Sequence, residues 1–237
     1  IHQVPVLPIT ALPLAGDEVV LAVADGVAAS GGDRRIAPQQ ASRIVLEEFF
    51  KAVWEHPEWL QDGFVANRHV RRAQARLAER LGSHHKTYGA ASTLAVAHVR
   101  GQHSAILNVG DSRVYQVNRE GRWRRLSKDH TVLQGMIDRG QASPDAAYAS
   151  VYGMLEHVLC ADSEESDFAI HRVLATLESG DRLVLCSDGI HDEIGEERLW
   201  ELFDPGLEVA AQTKVWRDAV WRHGAKDNLS LVVAMLK

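Results

Sequence analysis

Cysteine is scarce: two in 237 residues, Cys160 and Cys186, each in apolar surroundings. Two such residues cannot build a disulfide framework, and they read as buried free thiols of a reducing compartment, so a cytoplasmic location is expected. No apolar run approaches the length that spans a bilayer, and the first residues lack a charged-then-apolar export signal. Excess positive charge is missing as well. Lys and Arg number 26 against 32 Asp and Glu, a formal net charge of −6, which argues against nucleic acid or an anionic membrane as partner. Low-complexity tracts are absent, and no heptad repeat offers a dimer seam, so a monomer is expected. Two nucleophile signatures are also missing: neither cysteine opens a phosphate-cradling CxxxxxR loop, and no GxSxG elbow occurs.

What the chain has is apolar content, 46%, enough to bury a sizeable core in a single domain over residues 1–237. It also has a recurring device. VLAVADG is a continuous apolar run that ends in Asp25-Gly26. A short Val/Leu/Ala run reads as a buried strand, Asp marks its exit from the core, and Gly allows a tight turn behind it. RLVLCSDG ends the same way in Asp188-Gly189, AILNVGDSR runs into Asp111, and Asp227 stands just before LSLVVAML. Four strands therefore carry an Asp at or just outside one end. If those ends share one sheet edge the carboxylates repel one another, and a hard divalent cation resolves the conflict.

Along the chain, residues 1–14 look extended, but Pro5, Pro8 and Pro13 confine them to a sheet edge. A turn at residues 15–18 leads into a strand over 19–24, and a polar loop covers 30–35. Pro38 suits the first turn of a helix whose stripe is Ala41, Val45, Phe49 and Val53, with Leu46, Phe50 and Trp54 beside it, ended by His56-Pro57. A second helix spans about 64–81, with Ala66, Val70, Ala73, Leu77 and Leu81 inward. Its arginines 68, 71, 72, 76 and 80 read as a solvated face. Strands follow at 92–99, 104–109, 114–117 and 123–126, then a short helix over 131–139. Residues 141–166 lose all period and read as a mobile excursion. Strands at 168–173 and 181–187, helices at 196–203 and 207–223, and a last strand after Asp227 complete the reading. Helices grouped apart from hairpins predict an α+β fold with antiparallel sheets.

Taken together and in order, ADG (24–26), AASTL (90–94), NVGDSRVY (108–115), LSKDHT (126–131), CSDGIHD (186–192) and KDN (226–228) resemble the PPM, or PP2C-type, metal-dependent protein Ser/Thr phosphatases, the compact bacterial members above all. Each motif is weak alone; their joint order over nearly the whole chain is specific. The resemblance implies an α-β-β-α sandwich of two antiparallel sheets flanked by helices, with a centre of two Mn²⁺ or Mg²⁺ ions at one edge. It implies that Asp25 bridges the ions, that the Gly26 carbonyl is a further ligand, and that Asp188 and Asp227 hold the first ion. Asp111, with Asp188, matches the family's site for a third, weaker ion. The resemblance also implies that Asp25, Asp188 and Asp227 are catalytic through a metal-activated water. The implied substrates are Ser/Thr-phosphorylated proteins, made by a bacterial Ser/Thr kinase, and residues 130–166 correspond to the flap that tunes their access. The chemistry agrees: a phosphoserine ester carries about two negative charges, which cations must offset before a hydroxide can approach.

The chain also departs from the family pattern. The family's phosphate-gripping Arg and its acidic partner stand upstream of ADG, in a region where this sequence starts at Ile1. Val27-Ala28-Ala29-Ser30 replaces a glycine-bearing loop, and Val27 stands where some members place a general-acid His, leaving solvent or a metal-bound water to protonate the departing serine oxygen. Tyr152 to Leu159 replace the family's flap segment. These departures motivate an alternative, a catalytically weak or silent member of the same fold that binds phosphoproteins as a scaffold. The histidines read as exposed loop residues rather than zinc ligands, His84-His85 and His191 included, with His191 a candidate to stand behind the metal ligands.

Overall fold

The computed structural model describes residues 18–27, 36–56, 60, 62–144, 146–162 and 168–237. In order the elements are β1 (Glu18–Val23), β2 (Gly26–Val27), α1 (Ala37–Glu55), α2 (Gly63–Leu81), β3 (Ala91–Ser92), β4 (Leu94–Arg100), β5 (His103–Val109), β6 (Arg113–Val117) and β7 (Trp123–Arg125). Then come α3 (Val132–Asp138), a 3-10 turn (Ser150–Gly153), β8 (Leu159–Cys160), β9 (His171–Thr176), β10 (Arg182–Cys186), α4 (Asp188–Ile194), α5 (Glu196–Glu201), α6 (Val209–His223) and β11 (Leu231–Met235). The expected extended segment at 1–14, the turn at 15–17 and the loop at 30–35 lie outside the described residues.

Alternate side chains of each central strand enter different cores, which is why the strands read as unbroken apolar runs. Leu94 and Val96 of β4 join α1 and α2 in the first core, while Ala95, Ala97 and Val99 face the second sheet. Leu183 and Leu185 of β10 fill that middle layer, and Val184 and Cys186 turn outward to Ile190, Leu199, Trp216 and Val220 of α4, α5 and α6. The layers are thus helix, sheet, sheet, helix, as expected. The sheets run β1-β4-β5-β9 and β11-β10-β6-β7, all antiparallel. A third sheet of three short strands, β2-β3-β8, has no counterpart in the expectations above.

Several local expectations are corrected. In α1 the buried stripe is Ala37, Ala41, Ile44, Val45, Phe49 and Ala52. Phe50 is exposed, and so is Trp54 at 88%; Phe50 lies one residue past Phe49 and Trp54 two past Ala52, about 100° and 200° of helix rotation off that stripe. Strand β9 begins three residues later than expected, because Phe168 packs into the first core and under Arg71 instead of joining the ladder. The excursion after α3 is anchored at its root. Thr131 bridges Leu155, Val132 N–H donates to Met154 O at 2.9 Å, and Glu156 N–H donates to His130 O at 2.8 Å. It returns through β8, whose Cys160 trades two hydrogen bonds with the Gln74 side chain of α2. The arginines of α2 do lie on the outer side, with Arg72 paired to Glu55 at 2.5 Å and Arg80 to Glu47 at 3.5 Å. Both cysteines are free and buried. Among the described residues no helix is long and apolar enough to cross a membrane.

Candidate metal centre

The strand registers decide which acids meet. Val23 of β1 lies opposite Ala95 of β4, so two residues on Asp25 falls opposite Thr93. The hydrogen bonds follow: Asp25 N–H donates to Thr93 Oγ1 at 2.9 Å, and Thr93 N–H to Asp25 O at 2.8 Å. In the second sheet Cys186 lies opposite Arg113, so two residues on Asp188 falls opposite Asp111. On its other side Cys186 lies opposite Leu231, and Ser187 N–H donates to Ser230 O at 3.1 Å, which draws residues 227–230 alongside the start of α4. Thr93 Oγ1 and Ser112 Oγ, 2.7 Å apart, pin the two sheets together at this edge.

Two glycines make the close approaches possible. A Cβ at Gly26 would strike the Pro38 carbonyl of α1, and one at Gly189 would strike the Asn228 carbonyl beside Asp227. Gly26 itself pairs with Ser92 in the small third sheet, directly after Asp25.

The electrostatics record the convergence. Burial, a hydrogen bond with Asp188, and the charges of Asp188, Asp227 and Asp111 push the Asp25 carboxyl up to about 8. Burial and the Asp188 charge push Asp111 up to about 7, with His191 acting against them. Among the described residues no three His, Cys, Asp or Glu side chains close into a ready-made cage, yet Asp25 feels all three other acids. The second fact weighs more for Mg²⁺ or Mn²⁺, which keep several waters and need few direct protein oxygens. Buried carboxylates, Asp25 and Asp111, raised by the acids around them are a donor set suited to a hard cation, so the residues fit the metals that the resemblance implies.

Asp25, Asp111 and Asp188 are brought together at half-buried positions. Asp227 joins them through its charge from an exposed loop, its Oδ1 accepting from Asn228 N–H at 2.7 Å. One expectation of local structure changes here. Asp188 opens helix α4 instead of ending a strand, a signal present in the sequence as an acid in the first turn with Ile190 and Ile194 spaced four apart behind it. Strand β11 starts at Leu231, leaving Asp227 in a loop. His191 is buried, not exposed: Nε2 meets the Asp111 carbonyl oxygen at 3.2 Å and Nδ1 meets Asp192 Oδ1 at 2.9 Å. Sequence reasoning misses His130, whose Nδ1 accepts from Gly110 N–H at 3.2 Å on the other side of the Asp111 turn.

Comparison with known proteins agrees with this geometry. Serine/threonine protein phosphatase PstP of Mycobacterium tuberculosis is 28% identical over 166 residues, 70% of this chain and 31% of PstP, so the chain spans about a third of that relative's length. Serine/threonine phosphatase Stp of Listeria innocua is 23% identical over 221 residues, 90% of this chain and 83% of its own. The crystal structure of M. tuberculosis PstP/Ppp shares the fold with a TM-score of 0.78 at 23% identity, covering 96% of this chain and 94% of that one. A PstP catalytic domain in complex with two manganese ions superposes with a TM-score of 0.72 at 21% identity, over 96% and 94% of the two chains. The profile of the family described as protein phosphatase 2C matches residues 11–229. With that span taking in every acid-tipped strand end described above, this chain belongs to the protein phosphatase 2C family.

Proposed function

We propose that the chain is a divalent-metal-dependent phosphatase that hydrolyses phosphoserine and phosphothreonine in proteins. The observation that carries this is the meeting of carboxylates from four chain segments: Asp25 feels the charges of Asp188, Asp227 and Asp111, and Asp111 feels that of Asp188. Asp25, Asp188 and Asp227, with the Gly26 carbonyl, would hold the paired ions, and Asp111 with Asp188 would take a third, more weakly held one. When bound, the cations offset the charge on the phosphoryl oxygens and lower the pKa of the water that attacks phosphorus. The chain's own part is placement. Thr93 fixes the Asp25 backbone and ties it to Ser112, so carboxylates from both sheets are held before substrate arrives. Val27, next in line after Gly26, has no proton to give, so the leaving oxygen takes its proton from solvent.

Manganese is the metal of first choice, since the catalytic domain of PstP with two manganese ions has this fold; magnesium is the alternative. The substrates are products of Ser/Thr kinases, handled by a monomer in the cytoplasm; two free, buried cysteines accord with a reducing compartment. A silent scaffold is not favoured, because all four acids are retained and the curated relatives are named as phosphatases. The test is turnover of a phosphothreonine peptide against Mn²⁺ concentration. Activity that needs Mn²⁺, disappears in chelator and is lost in Asp25→Asn supports the reading; full turnover in excess chelator rejects it.

A further inference from the structure

Helix α4 carries more than Asp188. One turn on is His191, 3% exposed, and positions i and i+3 of a helix share a face. Its ring reaches across to the turn between β5 and β6, where Nε2 lies 3.2 Å from the main-chain oxygen of Asp111. A carbonyl oxygen only accepts, so Nε2–H donates. Behind the ring, Asp192 Oδ1 lies 2.9 Å from Nδ1; a carboxylate oxygen also only accepts, so the two contacts are hydrogen bonds at once when both ring nitrogens carry protons, and Asp192 then holds the ring in this orientation. With both nitrogens engaged, the ring is not itself a ligand.

The consequence concerns spacing. Asp111 and Asp188 sit on different segments, a turn and a helix, just beyond the last rung of the β6–β10 ladder. Past that rung the register still sets them opposite each other, but among the described residues no backbone hydrogen bond ties the turn to the helix. His191 spans the gap, because it belongs to the helix that bears Asp188 and grips the backbone that bears Asp111. Groups that never touch a metal but orient its ligands commonly change metal affinity by about 10–100-fold when removed.

We propose that His191 is a positioning residue of the metal centre: by donating Nε2–H to the Asp111 carbonyl it locks the β5–β6 turn to helix α4 and fixes the gap between the Asp111 and Asp188 carboxylates, hence the affinity for the weaker cation they share. This rests on the metal-centre reading above.

The experiment compares His191→Gln, which keeps a donor within reach of the Nε2 position, with His191→Leu, which keeps bulk and loses the donor. Mn²⁺ binding is followed by calorimetry and electron paramagnetic resonance near neutral pH, and amide hydrogen exchange of residues 110–112 is measured in the metal-free proteins. His191→Leu is expected to weaken the weakest class of Mn²⁺ site about tenfold or more, leave the tighter class unchanged and speed exchange in the turn. His191→Gln is expected to stay within about twofold of the parent on every readout. Unchanged Mn²⁺ affinities in a folded His191→Leu overturn the proposal, and so does an equal loss in both variants, which would make the ring a filler of volume. If His191→Leu does not fold, His191→Asn, whose amide is too short to reach the carbonyl, takes its place against Gln. The proposal then falls if Asn leaves the Mn²⁺ affinities unchanged or if Asn and Gln lose them equally. A parent protein that binds no Mn²⁺ at all overturns the metal reading and this inference with it, an outcome distinct from those just named.

Discussion

Two groups of acids flank Ser112, and the protein treats them in opposite ways. On one side Asp111 joins Asp25, Asp188 and Asp227, where burial and mutual repulsion push Asp25 up to about 8 and Asp111 up to about 7. On the other side Arg113 reaches Asp129 through Nη2 at 2.5 Å and Nε at 3.0 Å, and Glu196 through Nη1 at 3.1 Å. The Tyr115 hydroxyl donates to the same Glu196 at 2.6 Å, and Arg125 stands 3.6 Å from Asp129 and 3.7 Å from Glu196. Two acids there face two arginines, and the group is neutral from the chain's own resources. The residue types are alike; what differs is who supplies the counter-charge. A cluster that neutralises itself serves the scaffold, and one left with surplus negative charge is built to receive a cation.

The comparison predicts opposite outcomes for two substitutions. Asp188→Asn should lower Mn²⁺-dependent turnover by at least about a hundredfold, while the melting temperature of the metal-free chain holds or rises, because the substitution removes a charge that presses on Asp25 and Asp111. Arg113→Met should do the reverse. It strands Asp129 and Glu196 beside each other without their main partner, a loss of about 3–5 kcal/mol, or a melting temperature lower by about 10 °C for a chain of this length. Saturating Mn²⁺ should not restore that loss. Thermal melts of both variants with and without Mn²⁺ decide the matter. A metal-free Asp188→Asn that melts as low as Arg113→Met would erase the distinction.

Only half of this division is legible in the sequence. Strand-ending Asp-Gly pairs and the GDS turn point to the surplus-charge cluster, because continuous apolar runs fix where strands leave the core, and Asp is costly anywhere but at that exit. The neutral cluster is not legible. Arg113, Asp129 and Glu196 are far apart in sequence, and nothing local in SRVY, SKDH or GEER announces that they meet. Helix α4 escapes notice for a related reason. Its seven residues follow directly on β10 without a connecting loop, so SDG reads as a turn until Ile190 is seen packing on the outer core. The rotation of α1 is misjudged because Phe50 and Trp54 are as apolar as the residues actually buried; periodicity alone cannot choose between neighbouring stripes of equal hydrophobicity.

A smaller effect sharpens the comparison through pH. Asp25 and Asp111 keep protons in the folded, metal-free chain that the unfolded chain has already lost above pH of about 4. At these two sites the unfolded state therefore binds fewer protons, but below pH of about 6.5 burial of His130, pushed down to about 4, and of His98 and His171 acts in the opposite direction, so stability is expected to fall as pH rises from about 6.5 toward 8. The melting temperature of the metal-free protein should decline across that range, and Asp25→Asn should flatten the decline. Mn²⁺ should offset most of it at the alkaline end, since the cation binds the ionised folded form. A metal-free melting temperature that stays level between pH of about 6.5 and 8 would show the four acids to be solvated and apart.

The smallest effect belongs to a third set of charges, the arginines along the outer face of α2. Arg76 pairs with Glu79 at 2.5 Å, but the two side chains remain 46% and 63% exposed. A pair in that much water gains little, because solvent screens the attraction and ordering two long side chains opposes it. Alanine is also the better helix former. Arg76→Ala should therefore move the melting temperature by less than about 1 °C and leave both Mn²⁺ affinity and the KM for a phosphothreonine peptide at the parent's values. The KM is the discriminating readout: an arginine row that gripped phosphate would raise it severalfold with stability untouched. A raised KM would mean that this face takes part in substrate recognition, and the contrast between a charge-neutral scaffold and one charged edge would have to admit a second working surface.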